Sequence, residues 1–171
     1  MVVPIIIYGS PILRKQSYSV SKSDNFQQLG QDLFDTVKKS GGIGLAAPQA
    51  GILKRAFVID TSPFSEDDQT VQSYERFFIN PEIVCKSTTN CSFEEGCLSI
   101  PGIYEKVLRP EKIAVRYFDV NFELVEEEMD GIKARIFQHE FDHLEGILFI
   151  DKINPLKRKL LARKLYQIVN S

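Results

Sequence analysis

Apolar residues at helical spacing mark three segments of the chain. Over residues 24–40, Phe26, Leu29, Leu33, Phe34 and Val37 recur at three- and four-residue intervals and give a helix one apolar face. Asp24 offers an N-cap there, and Gly41-Gly42 a stop. A second helix is predicted to open at Gly131 and run to about Glu145, with Gly146 just past its end. A third starts at Asn154-Pro155 and reaches Val169, its stripe being Leu156, Leu160, Leu161, Leu165 and Ile168. Ser10-Pro11 opens a short helical turn through Leu13, and the apolar residues 1–8 read as an extended segment. Strand-like runs cover residues 55–60, 77–84 and 112–120, with 122–128 as a further candidate. Residues 61–75 are polar and acidic, with Pro63, Glu66, Asp67 and Asp68, and read as a surface loop. Helices and strands do not alternate regularly, so the predicted fold is α+β: one domain over residues 1–171, mostly antiparallel strands around a central helix, with an amphipathic C-terminal helix.

Composition narrows the function classes. The net charge of −2 provides no overall pull toward nucleic acid or an anionic membrane, and 43% hydrophobic with 26% charged residues is ordinary for a globular chain. No apolar run approaches the roughly 18–20 residues of a membrane span. Residues 1–8 hold Pro4 and lack a basic leader or a signal cleavage pattern. Cys85, Cys91 and Cys97 are too few, and odd in number, for a disulfide framework, so a reducing, cytoplasmic compartment is expected.

The strongest chemical signal lies inside the second helix: His139-Glu140-Phe141-Asp142-His143. Residues four apart share a helix face, so both imidazoles can grip one ion. Glu140, next to the first of them, is placed to accept a proton from water beside the ion and not to bind the ion itself. These are the only two histidines in the chain. Either alone reads as a packed or solvated side chain; the pair with its glutamate reads as a metal site. A catalytic site of this kind takes three protein ligands and keeps a fourth position open. Peptidases with this motif usually take the third ligand downstream, but no later His exists and Glu145 lies too close. The gap points upstream to Cys97 in Glu94-Glu95-Gly96-Cys97-Leu98-Ser99, where Gly96 allows close backbone approach and Ser99 can hydrogen-bond locally. Cys85 and Cys91 read as ordinary thiols, and their spacing lacks the CxxC of a redox pair.

Three blocks in order, GIGLAAPQ at 42–49, EGCLS at 95–99 and QHEFDH at 138–143, together resemble the peptide deformylase family. Pro48 departs from many members and removes one backbone N–H while leaving Gln49 in place. The resemblance implies hydrolysis of the formamide at the N-formyl-methionyl end of new polypeptides, releasing formate. It implies one divalent ion on Cys97, His139 and His143, commonly Fe(II), with Ni²⁺, Co²⁺ or Zn²⁺ as substitutes; the ligand types alone do not choose among them. By the same resemblance, the backbone N–H of Leu98 and the amide of Gln49 stabilise the developing oxyanion. Ile43 and Gly44 line the peptide groove, Ile136 and Leu98 form the methionine pocket, and Arg109 helps hold the cysteine loop.

Two other readings compete. A metallopeptidase would share the helix but need a downstream ligand, and a noncatalytic metal staple would fill the fourth coordination position. The last helix carries Lys157, Arg158, Lys159, Arg163 and Lys164 with no acidic residue, a face suited either to solvent or to docking on ribosomal RNA. The expected partners are formyl-methionyl nascent chains, with docking on the ribosome as the second of the two readings of the last helix, no membrane, and a monomer as the default state.

Overall fold

The computed structural model describes residues 1–67 and 73–170. After a 3-10 turn at Pro11–Arg14 come helix α1 (Phe26–Lys39), strand β1 (Gly44–Ala46), a second 3-10 turn (Ala47–Ala50) and strand β2 (Ala56–Asp60). A short helix α2 (Ser62–Asp67) precedes strands β3 (Glu75–Lys86), β4 (Asn90–Cys97), β5 (Ile100–Pro110), β6 (Lys112–Phe118) and β7 (Leu124–Asp130). Helix α3 (Gly131–Leu144), a 3-10 turn (Phe149–Asp151) and helix α4 (Pro155–Val169) complete the chain.

The strands form an antiparallel sheet in the order β1-β2-β3-β6-β7, while β4 and β5 pair as a separate ribbon inserted between β3 and β6. The architecture is α+β, as expected. Every residue of β2 is buried because helices cover both faces of the sheet. Alternation sends Phe57 and Ile59 to the side of α3, with Phe78, Tyr117 and Phe137. Ala56 and Val58 go to the other side, with Phe26, Leu33 and Val37 of α1. A third apolar cluster joins Leu13, Ile103, Val107 of the ribbon, residues 148–150 and Leu165 of α4.

Several boundaries differ from the expectations for physical reasons. Asp24 does not cap α1: its carboxylate takes the Ser21 N–H at 2.8 Å and Lys54 Nζ at 2.7 Å, and the helix starts at Phe26. The loop expected at 61–75 opens instead as α2, where the buried Asp60 carboxylate accepts the Ser62 N–H at 2.9 Å; residues 68–72 of that expectation lie outside the described residues. The β4–β5 ribbon and β1 were absent from the strand assignments, since Glu94-Glu95-Gly96 and Pro101-Gly102 interrupt any apolar alternation. The run at 122–128 becomes β7 two residues later, with Phe122 in the preceding turn at φ 60°.

Helix α3 opens at Gly131 as predicted, and Gly146 lies beyond its end at φ 71°. Gly146 is required there twice over: a Cβ would also stand 2.5 Å from the Arg14 carbonyl oxygen. In α4, Asn154 Oδ1 accepts the Leu156 N–H at 2.8 Å, an N-cap bond at the expected start. The apolar stripe is narrower than the spacing suggested. Leu165 is buried, whereas Leu156 and Leu160 are 68% and 76% exposed, because only one edge of the helix touches the body. Among the described residues, no helix is long and apolar enough to cross a membrane.

Candidate metal centre

Helix α3 brings His139 and His143 onto one face, with ring centroids 5.2 Å apart. Cys97 reaches them from the end of β4, not from a loop, at a register shift between Glu95 and Cys97 that turns the sulfur toward the helix. Its Sγ lies 3.3 Å from His143 Nε2, and one ligand atom from each of Cys97, His139 and His143 falls within 4.8 Å of the others. His139 Nδ1 is engaged by Glu95 Oε2 at 2.9 Å, which leaves Nε2 facing the sulfur side.

The electrostatics favour one positive charge here. Burial works against a charged His139, but the hydrogen bonds to Cys97 and Glu95 outweigh it, and its pKa is raised well above the usual value. Burial drives His143 well below its usual value, with the neighbouring His139 adding to the effect. Buried polar atoms with no hydrogen-bond partner among the described residues include His143 Nδ1 and Glu140 Oε2. A cysteine sulfur, two imidazoles and a flanking carboxyl in this small volume fit a single metal ion.

Glu140 is buried, and that burial pushes its pKa up to about 7. Its Oε1 rests over Gly44, where a Cβ would stand only 2.5 Å away, so any larger residue in β1 would push the carboxyl from its present place. Gln49 is held in one orientation. Its Oε1 accepts the Ala46 N–H at 2.8 Å, while Nε2 donates to Ser99 Oγ at 3.2 Å and points to Cys97 Sγ at 3.4 Å. Pro48 sits in the first turn of the 3-10 segment at Ala47–Ala50, where a missing N–H costs little. The N-terminal segment stitches both site loops together: the Ile6 N–H donates to the Gln49 carbonyl at 2.7 Å and the Tyr8 N–H to the Ser99 carbonyl at 2.8 Å.

Ile43, Gly44, Leu98 and Ile136 line the same cavity of about 550 Å³ as Gln49, Cys97, His139 and Glu140. Arg109 does not touch Cys97 directly. It donates to both oxygens of Glu95 at 2.6 and 2.9 Å and to Asp142 at 2.6 Å, all buried. Burial alone would raise the Glu95 pKa, but Arg109 and His139 hold it well below the usual carboxylate range. Sequence reasoning passed over Glu95, Asp142, Arg135 and the Gln49–Ser99 link. Asp142 and Arg135 resemble the solvated charges of any helix, and only their spacing from His139 hinted at a shared face. Ser99 Oγ bonds across 50 residues to Gln49, in place of the local hydrogen bond that the EGCLS segment suggests. Cys85 is exposed and Cys91 half-buried, without a disulfide.

A buried helix presenting two imidazoles and a carboxyl, closed by a cysteine sulfur from a separate ribbon, defines a metal-dependent hydrolase of the single-ion type. The family model for polypeptide deformylase matches residues 2–159. Peptide deformylases from Cytophaga hutchinsonii and Pseudothermotoga lettingae are 43% and 44% identical, covering 98% and 99% of this chain and 91% and 93% of their own. A crystal structure of peptide deformylase from Plasmodium falciparum superposes with a TM-score of 0.88 at 41% identity, covering 97% of this chain and 95% of that one. One from Legionella pneumophila gives 0.86 at 39% identity, with 98% and 95% covered. The chain belongs to the peptide deformylase family, and its activity is removal of the N-formyl group from new polypeptides.

Proposed function

We propose that Cys97, His139 and His143 hold one divalent ion, Fe(II) in the cell with zinc, nickel or cobalt as substitutes, and that Glu140 carries the protons of formamide hydrolysis. The observation that supports this most is the convergence of three donor atoms beside a buried carboxylate in one cavity. When bound, the ion supplies Lewis acidity, lowering the pKa of water and polarising the formyl carbonyl. Glu140 takes a proton from the attacking water as its oxygen adds to the formyl carbon. Negative charge then grows on the formyl oxygen, where the Gln49 amide and the Leu98 N–H donate. The fixed amide orientation supports the role of Gln49, since its carbonyl end is already occupied by Ala46. Glu140 returns the proton to the departing nitrogen as the C–N bond breaks, leaving formate and a free amine.

The peptide lies extended along Ile43 and Gly44, with its methionine side chain toward Ile136 and Leu98, in one catalytic domain over residues 1–171. Metal analysis of anaerobically purified protein, coupled to formate release from formyl-Met peptides, tests the reading. About one ion per chain with turnover is expected; turnover unaffected by complete metal removal overturns it. If iron is the native ion, exposure of the iron form to air ends its activity, and stable activity in air excludes it.

The enzyme acts in the cytoplasm as a monomer and meets its substrate near the ribosome through α4. Lys157 pairs with Glu105 at 2.9 Å and Arg158 with Asp151 at 3.0 Å, so those two charges are partly engaged within the molecule. Lys159, Arg163 and Lys164 have no ion pair among the described residues and are the better candidates for contact with RNA phosphates.

A further inference from the structure

Arg135 takes no part in the steps above, yet it is 5% exposed and sits four residues before His139 on α3. Its guanidinium joins that helix to both strands of the ribbon. Nη1 donates to Glu95 Oε1 at 2.8 Å and to the Val107 carbonyl at 3.0 Å, and Nη2 donates to the Cys91 carbonyl at 2.8 Å. Glu95 Oε1 is thus filled by Arg135 and by Arg109 Nε, leaving Oε2 for Arg109 Nη2 and His139 Nδ1.

Backbone hydrogen bonds from Ser87 to Lys112 and from Glu111 to Thr89 root the ribbon in β3 and β6, but among the described residues its far end, which carries Cys97, shares no ladder with the five-stranded sheet and is placed against α3 by side chains. Apolar contacts at Ile103 and Val107 are non-directional and tolerate sliding. Arg109 ties the ribbon to α3 at Asp142, and Arg135 ties it again seven residues earlier, about 10 Å along a helix. Between these ends Gln138 Nε2 donates to the Pro110 carbonyl at 3.0 Å and His139 meets Glu95, so among the described residues Arg135 is the tie farthest along α3 from Asp142 and has the greatest leverage on the angle. A pivot about the Asp142 end would swing the end of β4, and Cys97 with it, relative to the imidazoles.

We propose that Arg135 is a positioning residue that sets the angle between α3 and the β4–β5 ribbon, and with it the placement of Cys97 against His139 and the ring orientation of His139. Lysine cannot reproduce it, because a single ammonium lacks the planar fork that reaches three acceptors on two strands.

The inference rests on the metal reading given above, and cobalt substitution tests the two separately. Wild-type protein loaded with Co(II) is expected to show a thiolate-to-cobalt charge-transfer band in the near ultraviolet; its absence overturns the Cys97 site itself. With that band present, Arg135→Met should bind Co(II) about 10–100-fold more weakly in chelator competition and show a weakened or shifted band per bound ion. Arg135→Lys should restore only part of either. Wild-type affinity and spectrum in Arg135→Met, even with a lowered melting temperature, overturn the proposal. Should Arg135→Met fail to fold, Arg135→Lys decides alone: changes of the same sign support the role, and wild-type values overturn it.

Discussion

The five-stranded sheet and the β4–β5 ribbon both meet α3, but by different forces. On the sheet side, Phe137 sits between Phe57 and Phe78, with ring centroids 5.0 and 5.1 Å away and all three fully buried. On the ribbon side, the contacts are charged and directional: Glu95 accepts from Arg109, Arg135 and His139, and Arg109 bridges to Asp142. Apolar packing is strong but indifferent to small rotations, whereas a carboxylate with four donors fixes its neighbours to a few tenths of an ångström. The proposed metal ligands straddle this seam, two imidazoles from the helix and one sulfur from the ribbon. Stability therefore resides mainly on one side and site geometry on the other.

The largest effect should come at the seam itself. Glu140→Ala is expected to lower kcat/KM about 10³-fold or more while leaving metal content and fold intact, as read by formate release beside metal analysis. Retained turnover would remove Glu140 as the proton carrier. Cys97→Ala should instead release the ion, and a normal metal-to-protein ratio in that variant excludes the sulfur as a ligand. On the sheet side, Phe137→Ala should cost about 3–5 kcal/mol in urea unfolding, yet keep near-normal turnover per folded molecule at low temperature. A stability loss under 1 kcal/mol would blur the division between the two regions.

A smaller effect follows from the Glu140 carboxyl in metal-free protein. Its pKa is raised to about 7 by burial, above the usual 4.5, so the folded state holds the proton more tightly than the unfolded one. That contribution is fully present below about pH 4.5 and is lost as pH rises through 7. Metal-free Glu140→Gln lacks the loss and should gain stability relative to wild type between pH 5 and 8, on the order of 3 kcal/mol at most. Parallel stability profiles for the two proteins would show that the carboxyl is not desolvated. The smallest effect is expected at the surface. Charge reversal of Lys159, Arg163 and Lys164 should weaken ribosome co-sedimentation, and more so at low salt, without altering turnover of short peptides. Unchanged co-sedimentation would make α4 a solvated face only.

How much of this was legible in the sequence follows the same division. The helices and the sheet strands announce themselves through period, because packing against a layer demands apolar residues at fixed intervals. His139, Glu140 and His143 were legible for the same reason: one helical turn places them. The ribbon was not, since its inward positions hold Glu95, Arg109 and the half-buried Cys91 where alternation would call for apolar side chains. Those charges are acceptable inside only because each meets a partner within the ribbon or across the seam, and a partner 14 to 44 residues away leaves no periodic trace. The N-cap at Asp24 failed for a related reason, as a distant lysine outcompeted the local helix for its carboxylate.

The proposed grip on an ion also has an order in time. Its sulfur and its last imidazole are 46 residues apart in the chain, and the Gln49 amide lies another 48 before the sulfur. During synthesis the earlier parts emerge first, at roughly 5–20 residues per second. A nascent chain therefore exposes the Cys97 thiol for some seconds before α3 emerges, and the proposed three-atom grip cannot assemble until that helix has left the tunnel.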